Sequence, residues 1–194
     1  MVLCDHHIER AVREGRIVID PPLVTSNLES SSLNLRVGDD FCVWKDALKA
    51  KATKHLIDVD NIDLSEIIGF TDPLKPNSDG LIIIQPGWFV LVRTLEYIGL
   101  PVKGKLAARI EGRSRQARLG MTAHITAPTI HAGFRGRIVL EIVNHGPFQL
   151  EVRPNHSKLS QLIFEEVSAI PQRSGSHTFS DQTTPLGTPK RKLR

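Results

Sequence analysis

Residues 111–144 read EGRSRQARLGMTAHITAPTIHAGFRGRIVLEIVN, and this stretch decides how the rest of the chain is understood. Its last part, RIVLEIVN, is an apolar run of strand length. The segment before it, residues 126–136, is punctuated by Pro128, Gly133 and Gly136 and reads as a loop. SRQARLG reads as one short helix, capped by Ser114 and stopped by Gly120. Residues 121–125 form a further expected strand. Glu141 interrupts the aliphatic run. A carboxylate in that setting is expected to face a poorly hydrated space, where an ionised group is costly unless paired, so Glu141 is a candidate for chemistry.

Working outward, the same strand-and-turn pattern recurs. Leu106, Ala108 and Ile110 alternate with polar residues, and residues 148–152 and 159–167 supply further strands. LIIIQPGWFVLV, residues 81–92, places a Pro86-Gly87 turn between two apolar strands. Residues 32–44 read as a hairpin: Leu33, Leu35 and Val37 alternate, Gly38-Asp39-Asp40 turns the chain, and Phe41 and Val43 resume. A helix is expected from Asp5 to Gly15, with Ile8, Ala11 and Val12 on one face, then a short strand at residues 17–19. His6 and His7 in its first turn read as surface residues, not metal ligands. Residues 45–55, KDALKAKATKH, read as a helix with a thin apolar face, and residues 58–79 as loops with short strands. The fold class is mainly β, a distorted barrel or sandwich with a short N-terminal helix.

Composition bounds the function. The chain has 194 residues, enough to bury a core as one domain. It divides into a body, residues 1–170, and a tail, residues 171–194, rich in Ser, Thr, Gly and Pro. The tail reads as flexible, or as a flap that orders on a ligand. The formal net charge is +4, but the last six residues, PKRKLR, hold four Lys/Arg, so the body is neutral. Nucleic acid is therefore not an expected partner. Two cysteines give no disulfide framework, and no apolar run is long enough to span a bilayer, so a cytoplasmic protein is expected.

Within the central stretch, Arg113 and Arg118 flank a helix start, an arrangement that suits a polyphosphate, because guanidinium groups and free amides both bind its oxygens. Pairing of these arginines with acids such as Glu111 is the equal alternative.

The motifs resemble the dCTP deaminase family, within the wider dCTP deaminase and dUTPase superfamily. GRSRQAR is similar to GRSxxAR at Gly112, Arg113, Ser114, Ala117 and Arg118. HITAPTIHAGFRGRIVLEIVN resembles the family's HVTA…I-D-x-G-(W/F)-x-G-x-(I/V)-L-E-(F/I)-x-N. LCDHHIERAVREGRIVIDP resembles its amino-terminal LCDxDIxxxxxxGxLxIxP. The resemblance runs from residue 3 to about residue 167 and is loose over residues 45–80. It implies a dUTPase-like (β-clip) fold, a homotrimer with sites between subunits, and a dCTP or dUTP nucleotide as ligand. It also implies deamination without zinc. Zinc deaminases need a His or Cys with a Cys-x-x-Cys, and here Cys4 and Cys42 lie 38 positions apart.

The resemblance assigns roles to matching positions. Glu141 is the catalytic carboxylate. Ser114 and the Ala127 carbonyl hold the attacking water, and Arg118 orders the site and balances Glu141. Arg113, Arg115, Thr126, His131, Phe134 and Gln182 are substrate-binding candidates, Gln182 as a tail residue closing over the triphosphate. No protein metal ligand is implied; Mg²⁺ enters with the nucleotide. His124 matches a family histidine but fits a packed role equally well.

Three positions depart from the pattern: His131 replaces an aspartate, Arg115 a second serine, and Thr178-Phe179 a Lys-Tyr pair. The implied activity is hydrolysis of dCTP to dUTP and ammonia. The alternatives are a dUTPase or bifunctional enzyme forming dUMP, and a non-catalytic nucleotide-binding regulator.

Overall fold

The computed structural model describes residues 1–45, 57–61, 68–172 and 180–186. The expected helix at residues 45–55 falls almost wholly outside them, as do Thr178 and Phe179. The chain opens with α1 (Asp5–Arg13), then β1 (Val18–Asp20), β2 (Leu28–Glu29), β3 (Ser32–Arg36), β4 (Cys42–Trp44) and β5 (Thr71–Pro73). Next come β6 (Ile82–Ile84), β7 (Phe89–Gly99), β8 (Leu106–Gly112), the single-turn α2 (Ser114–Ala117) and β9 (Met121–Thr122). The series ends with β10 (Thr129–Ile130), β11 (Arg135–Asn144), β12 (Leu150–Val152) and β13 (Lys158–Glu166).

Two sheets enclose one core. The first runs β5-β4-β7-β11-β9, with β1 added to the far end of β7; the second runs β10-β8-β13-β3-β2; β12 and β6 pair separately. Alternation sets the faces. Leu33, Leu35, Ile110, Leu162 and Phe164 of the second sheet meet Val90, Val92, Ile138, Leu140 and Ile142 of the first in one buried cluster. The expected distorted, mainly β architecture is what forms; among the described residues the sheets stay open and do not close into a barrel.

Residues 32–44 are not a hairpin. β3 belongs to the second sheet and β4 to the first, so the chain crosses between sheets at residues 37–41. Long-range polar contacts fix the crossing. The Gly38 N–H donates to the Arg93 carbonyl at 2.7 Å, and Asp40 forms an ion pair with the Arg93 guanidinium. Likewise β6 and β7, on either side of Pro86-Gly87, join different sheets. Alternation identifies a strand's buried face but not its partner.

β7 extends well past residue 92, through the polar segment RTLEYIG. Its pairing with β11 carries a bulge, with Arg137 opposite Tyr97 and Val139 opposite Arg93. Buried Thr94 satisfies the irregular backbone, accepting the Ile138 N–H at 3.0 Å and donating to the Glu96 carbonyl at 2.7 Å. Glu96, 3% exposed, takes the Arg36 Nε at 2.7 Å and the Arg36 backbone N–H at 2.8 Å.

At the amino terminus the cap of α1 is Cys4, and Asp5 is its first helical residue. The Cys4 Sγ lies 3.1 Å from His7 Nδ1 and 3.3 Å from His6 Nδ1. His6 is exposed as expected, but the histidines are accompanied by a cysteine: the extended backbone of the cap turns the thiol back over the first turn.

Candidate functional site

Glu141 lies on β11, opposite Leu91 of β7, which in turn lies opposite Cys42 of β4. The flanking Leu140 and Ile142 are wholly buried, so strand alternation turns Glu141 to the outer face of the sheet. The expectation of a carboxylate sunk among aliphatic groups is corrected: Glu141 is half-buried, between the outward Val139 and Val143. Burial, then the nearby Asp40 charge, pushes the Cys42 thiol up to about 11.

The Glu141 Oε2 accepts the Ile125 N–H at 3.2 Å. This bond holds the loop that leaves β9 in the first sheet and enters β10 in the second. The loop's other end is fixed by the Ile110 N–H donating to the Pro128 carbonyl at 2.8 Å. Ile125, Thr126 and Ala127 are exposed between these anchors. No hydrogen bond to the Ala127 carbonyl, two residues beyond the Ile125 amide, forms among the described residues. The Ile125 amide is a site group that side-chain motifs do not reveal.

Ser114 and Arg118 take a different position. Both are exposed at α2, which packs on β9, and β9 pairs with Val143 and Asn144 at the end of β11. No side-chain contact joins either residue to Glu141 among the described residues. Arg115 is exposed too. Ser114 is the first residue of its helix rather than the cap, which is Arg113. Gly120 ends the turn with φ +86°, and a Cβ there would lie 2.5 Å from the Gly146 nitrogen.

The arginines do not pair with Glu111. That carboxylate instead approaches Arg109 and His124, each at 3.8 Å. His124 is mostly buried, and its Nδ1 has no hydrogen-bond partner among the described residues. Arg113 donates to the Lys158 carbonyl at 3.2 Å and lies 3.9 Å from Glu29, so it partly serves to pin α2 to β13. A cleft of about 630 Å³ opens beside it, lined by Gln116, Leu119, Met121, Phe148 and Lys158 among others. Of the predicted site residues only Arg113 lines that cleft.

His131 and Phe134 stand at the far end of β11, on a turn closed by the Phe134 N–H donating to the His131 carbonyl at 3.1 Å. His131 is exposed; Phe134 packs against the core. The tail docks here. The Asp181 N–H donates to the Arg135 carbonyl at 2.9 Å, and the Asp181 carboxylate receives the Arg135 Nε at 2.6 Å and the Tyr97 hydroxyl at 3.1 Å. Burial and this carboxylate push the Tyr97 phenol up. Arg93 donates to the Gln182 carbonyl at 2.8 Å, and Gln182 Nε2 to the Arg137 carbonyl at 3.2 Å. Gln182 is 7% exposed, so residues 180–186 lie against the body in this conformation. Arg137 and Glu141 share a strand face about 13 Å apart, four residues at ~3.3 Å each.

Comparison with known proteins identifies the fold and the family. A solved dCTP deaminase from Agrobacterium tumefaciens has the same fold, with a TM-score of 0.62 at 21% identity over 86% of this chain and 48% of that one. A dUMP-forming dCTP deaminase from Methanosphaera stadtmanae is 37% identical over 181 residues, 93% of this chain and 86% of the relative. A dCTP deaminase from Aeromonas hydrophila is 33% identical over 177 residues, 89% of this chain and 88% of the relative. The family model described as dCTP deaminase-like matches residues 2–167, and the chain belongs to that family.

Proposed function

We propose that this enzyme hydrolyses the 4-amino group of dCTP, with Glu141 moving the protons. The observation that carries the reading is the pairing of half-buried Glu141 with the amide of Ile125, on the loop that also carries Ala127. Water held between Ala127 and Ser114 gives a proton to Glu141 while its oxygen bonds to C4 of cytosine. Glu141 passes that proton to N3. The second water proton goes to the amino group, the C4–N bond breaks, ammonia leaves, and a C4 carbonyl remains. General acid–base transfer of this kind contributes typically ~10²–10⁴-fold.

Within one chain Ser114 and Arg118 stand apart from Glu141, so the site is completed between subunits of a homotrimer. Phe89, Leu95, Val139 and Val143 form a half-buried apolar outer face of the kind that packs against another copy. Arg113, Arg115, Thr126, His131, Phe134 and Gln182 bind the nucleotide, and Mg²⁺ arrives on its phosphates, since that ion favours phosphate and water oxygens over protein cages.

The product depends on His131. A carboxylate at that position orients and deprotonates water well; a neutral imidazole offers a single acceptor nitrogen, and a protonated one none. The reading is therefore that dUTP is released. The dUMP-forming relatives favour a second reading, in which the chain also cleaves dUTP. Incubation with dCTP, CTP or dUTP and Mg²⁺, followed by chromatography, separates the two. Ammonia with accumulating dUTP supports release. Ammonia with matching dUMP and pyrophosphate supports the bifunctional reading. No ammonia from any cytosine nucleotide refutes deamination. His131→Asp is expected to gain triphosphate cleavage.

A further inference from the structure

We propose that Cys4, His6 and His7 bind a divalent ion of the Zn²⁺ class at the start of α1, with water as the fourth ligand. The three residues each present a donor atom, and these atoms lie within 4.8 Å of one another. Cys4 is the cap and His7 the third helical residue, two positions whose side chains naturally meet at a helix start. The thiol makes no capping hydrogen bond to the backbone, so it is free to serve a ligand.

The spacing suits a tetrahedral ion. With Zn–S near 2.3 Å and Zn–N near 2.0 Å, sulfur and nitrogen ligands stand ~3.6 Å apart. Cys4 Sγ is 3.1 Å from His7 Nδ1, 3.3 Å from His6 Nδ1 and 3.7 Å from His6 Nε2. His6 Nε2 already stands at that spacing, and a small rotation of the His7 ring widens its shorter separation from the thiol. The two imidazole rings are stacked at a tilt, with centroids 4.3 Å apart.

Asp5 completes the arrangement. Its Oδ1 lies 3.2 Å from His6 Nδ1 and accepts the His6 backbone N–H at 2.7 Å. With Nε2 on the ion, Nδ1–H donates to this carboxylate, the usual support of a ligating histidine. A dication at a helix N-terminus meets the positive end of the dipole. The Cys4 thiolate and the Asp5 carboxylate together supply the two negative charges that offset it. Sulfur and imidazole donors select a Zn²⁺-class ion over Mg²⁺ or Ca²⁺.

The cluster stands on the second sheet, where Leu3 N–H donates to the Phe164 carbonyl at 3.0 Å and Asp5 N–H to the Ser30 carbonyl at 3.1 Å. Glu141 belongs to the first sheet, and the ion takes no part in deamination. The proposal stands independently of the nucleotide chemistry.

The test is a titration of the reduced, metal-free full chain with Co²⁺, followed by displacement with Zn²⁺. One Co²⁺ per chain, with a thiolate-to-metal absorption band that Zn²⁺ removes, is expected. Cys4→Ser should abolish the band, and Cys42→Ser should leave it. His6→Ala and His7→Ala should each weaken Co²⁺ binding at least ~10-fold, and Asp5→Asn ~10-fold, the scale of outer-ligand losses. The exposed His6 can be replaced without a change in metal-free melting temperature, which separates ligation from folding. Absence of the band in the wild type overturns the proposal, as does a band that survives Cys4→Ser or disappears with Cys42→Ser.

Discussion

The Arg135 end and the Glu141 segment of β11 differ in how their polar groups are satisfied. At the Arg135 end, charges and backbone groups are taken up by the tail: Asp181 bonds Arg135 and Tyr97, and Gln182 exchanges hydrogen bonds with Arg93 and Arg137. At the other end, Glu141 has a single backbone partner, the Ile125 amide, and the neighbouring Ala127 carbonyl has none among the described residues. The tail contacts dock residues 180–186 on the sheet. A half-satisfied carboxylate retains lone pairs that can take a proton from water. The contrast sets the docked tail, with its proposed nucleotide-binding Gln182, against the proposed proton-transfer group along ten residues of one strand.

Substitutions at each end sharpen or break this contrast. Glu141→Gln should lower dCTP turnover by ~10²–10⁴-fold, because the amide keeps the shape but cannot shuttle the proton. Its melting temperature should move little, since Glu141 is half-buried on the outer face. Thermal melting of the variant alongside ammonia assays checks both halves; a large loss of stability would make Glu141 a scaffold residue.

Glu96→Ala should do the reverse. Glu96 is 3% exposed and carries the Arg36 guanidinium and amide, so its removal should cost about 3–5 kcal/mol of stability, as breaking a buried pair does. The Arg36 side chain is 24% exposed, which places the expectation at the lower end. Denaturant unfolding measures it.

The smallest stability effect is expected at the tail. Arg135 and Asp181 side chains are 67% and 46% exposed, and such pairs contribute about 0–1 kcal/mol. Asp181→Asn should therefore barely change ligand-free melting. Truncation after Ile170 should likewise leave melting almost unchanged yet weaken triphosphate binding and turnover. Unchanged kinetics in the truncated chain would reduce the docked segment to an appendage.

Much of this was legible in the sequence, for physical reasons that also mark the limit. β8, β11 and β13 follow from apolar periodicity, and α1 from its apolar face and the glycine that ends it. Gly15 has φ +69°, the conformation a helix stop demands. The separation of β3 from β4 was not legible. It depends on Asp40 meeting Arg93, residues 53 positions apart. The continuation of β7 was hidden because Thr94 and Glu96 are polar yet buried, each satisfied by a partner distant in sequence or by an irregular backbone. For the site, Glu141 could be singled out by its aliphatic neighbours, but those neighbours also suggested burial. Leu140 and Ile142 face the core, and alternation puts Glu141 on the other side. The docking of Asp181 and Gln182 was invisible in a tail of low apolar content, since it rests on backbone carbonyls and two arginines of the sheet.

The central claim is that the Glu141 end of β11 hydrolyses an amine from a cytosine deoxynucleotide. The most direct measurement is ammonia released from dCTP and Mg²⁺ by the wild type, Glu141→Gln and Asp181→Asn side by side at saturating nucleotide. The account predicts stoichiometric ammonia from the wild type, turnover of the same order from Asp181→Asn, and almost none from Glu141→Gln. Ammonia released by Glu141→Gln at the wild-type rate would contradict it.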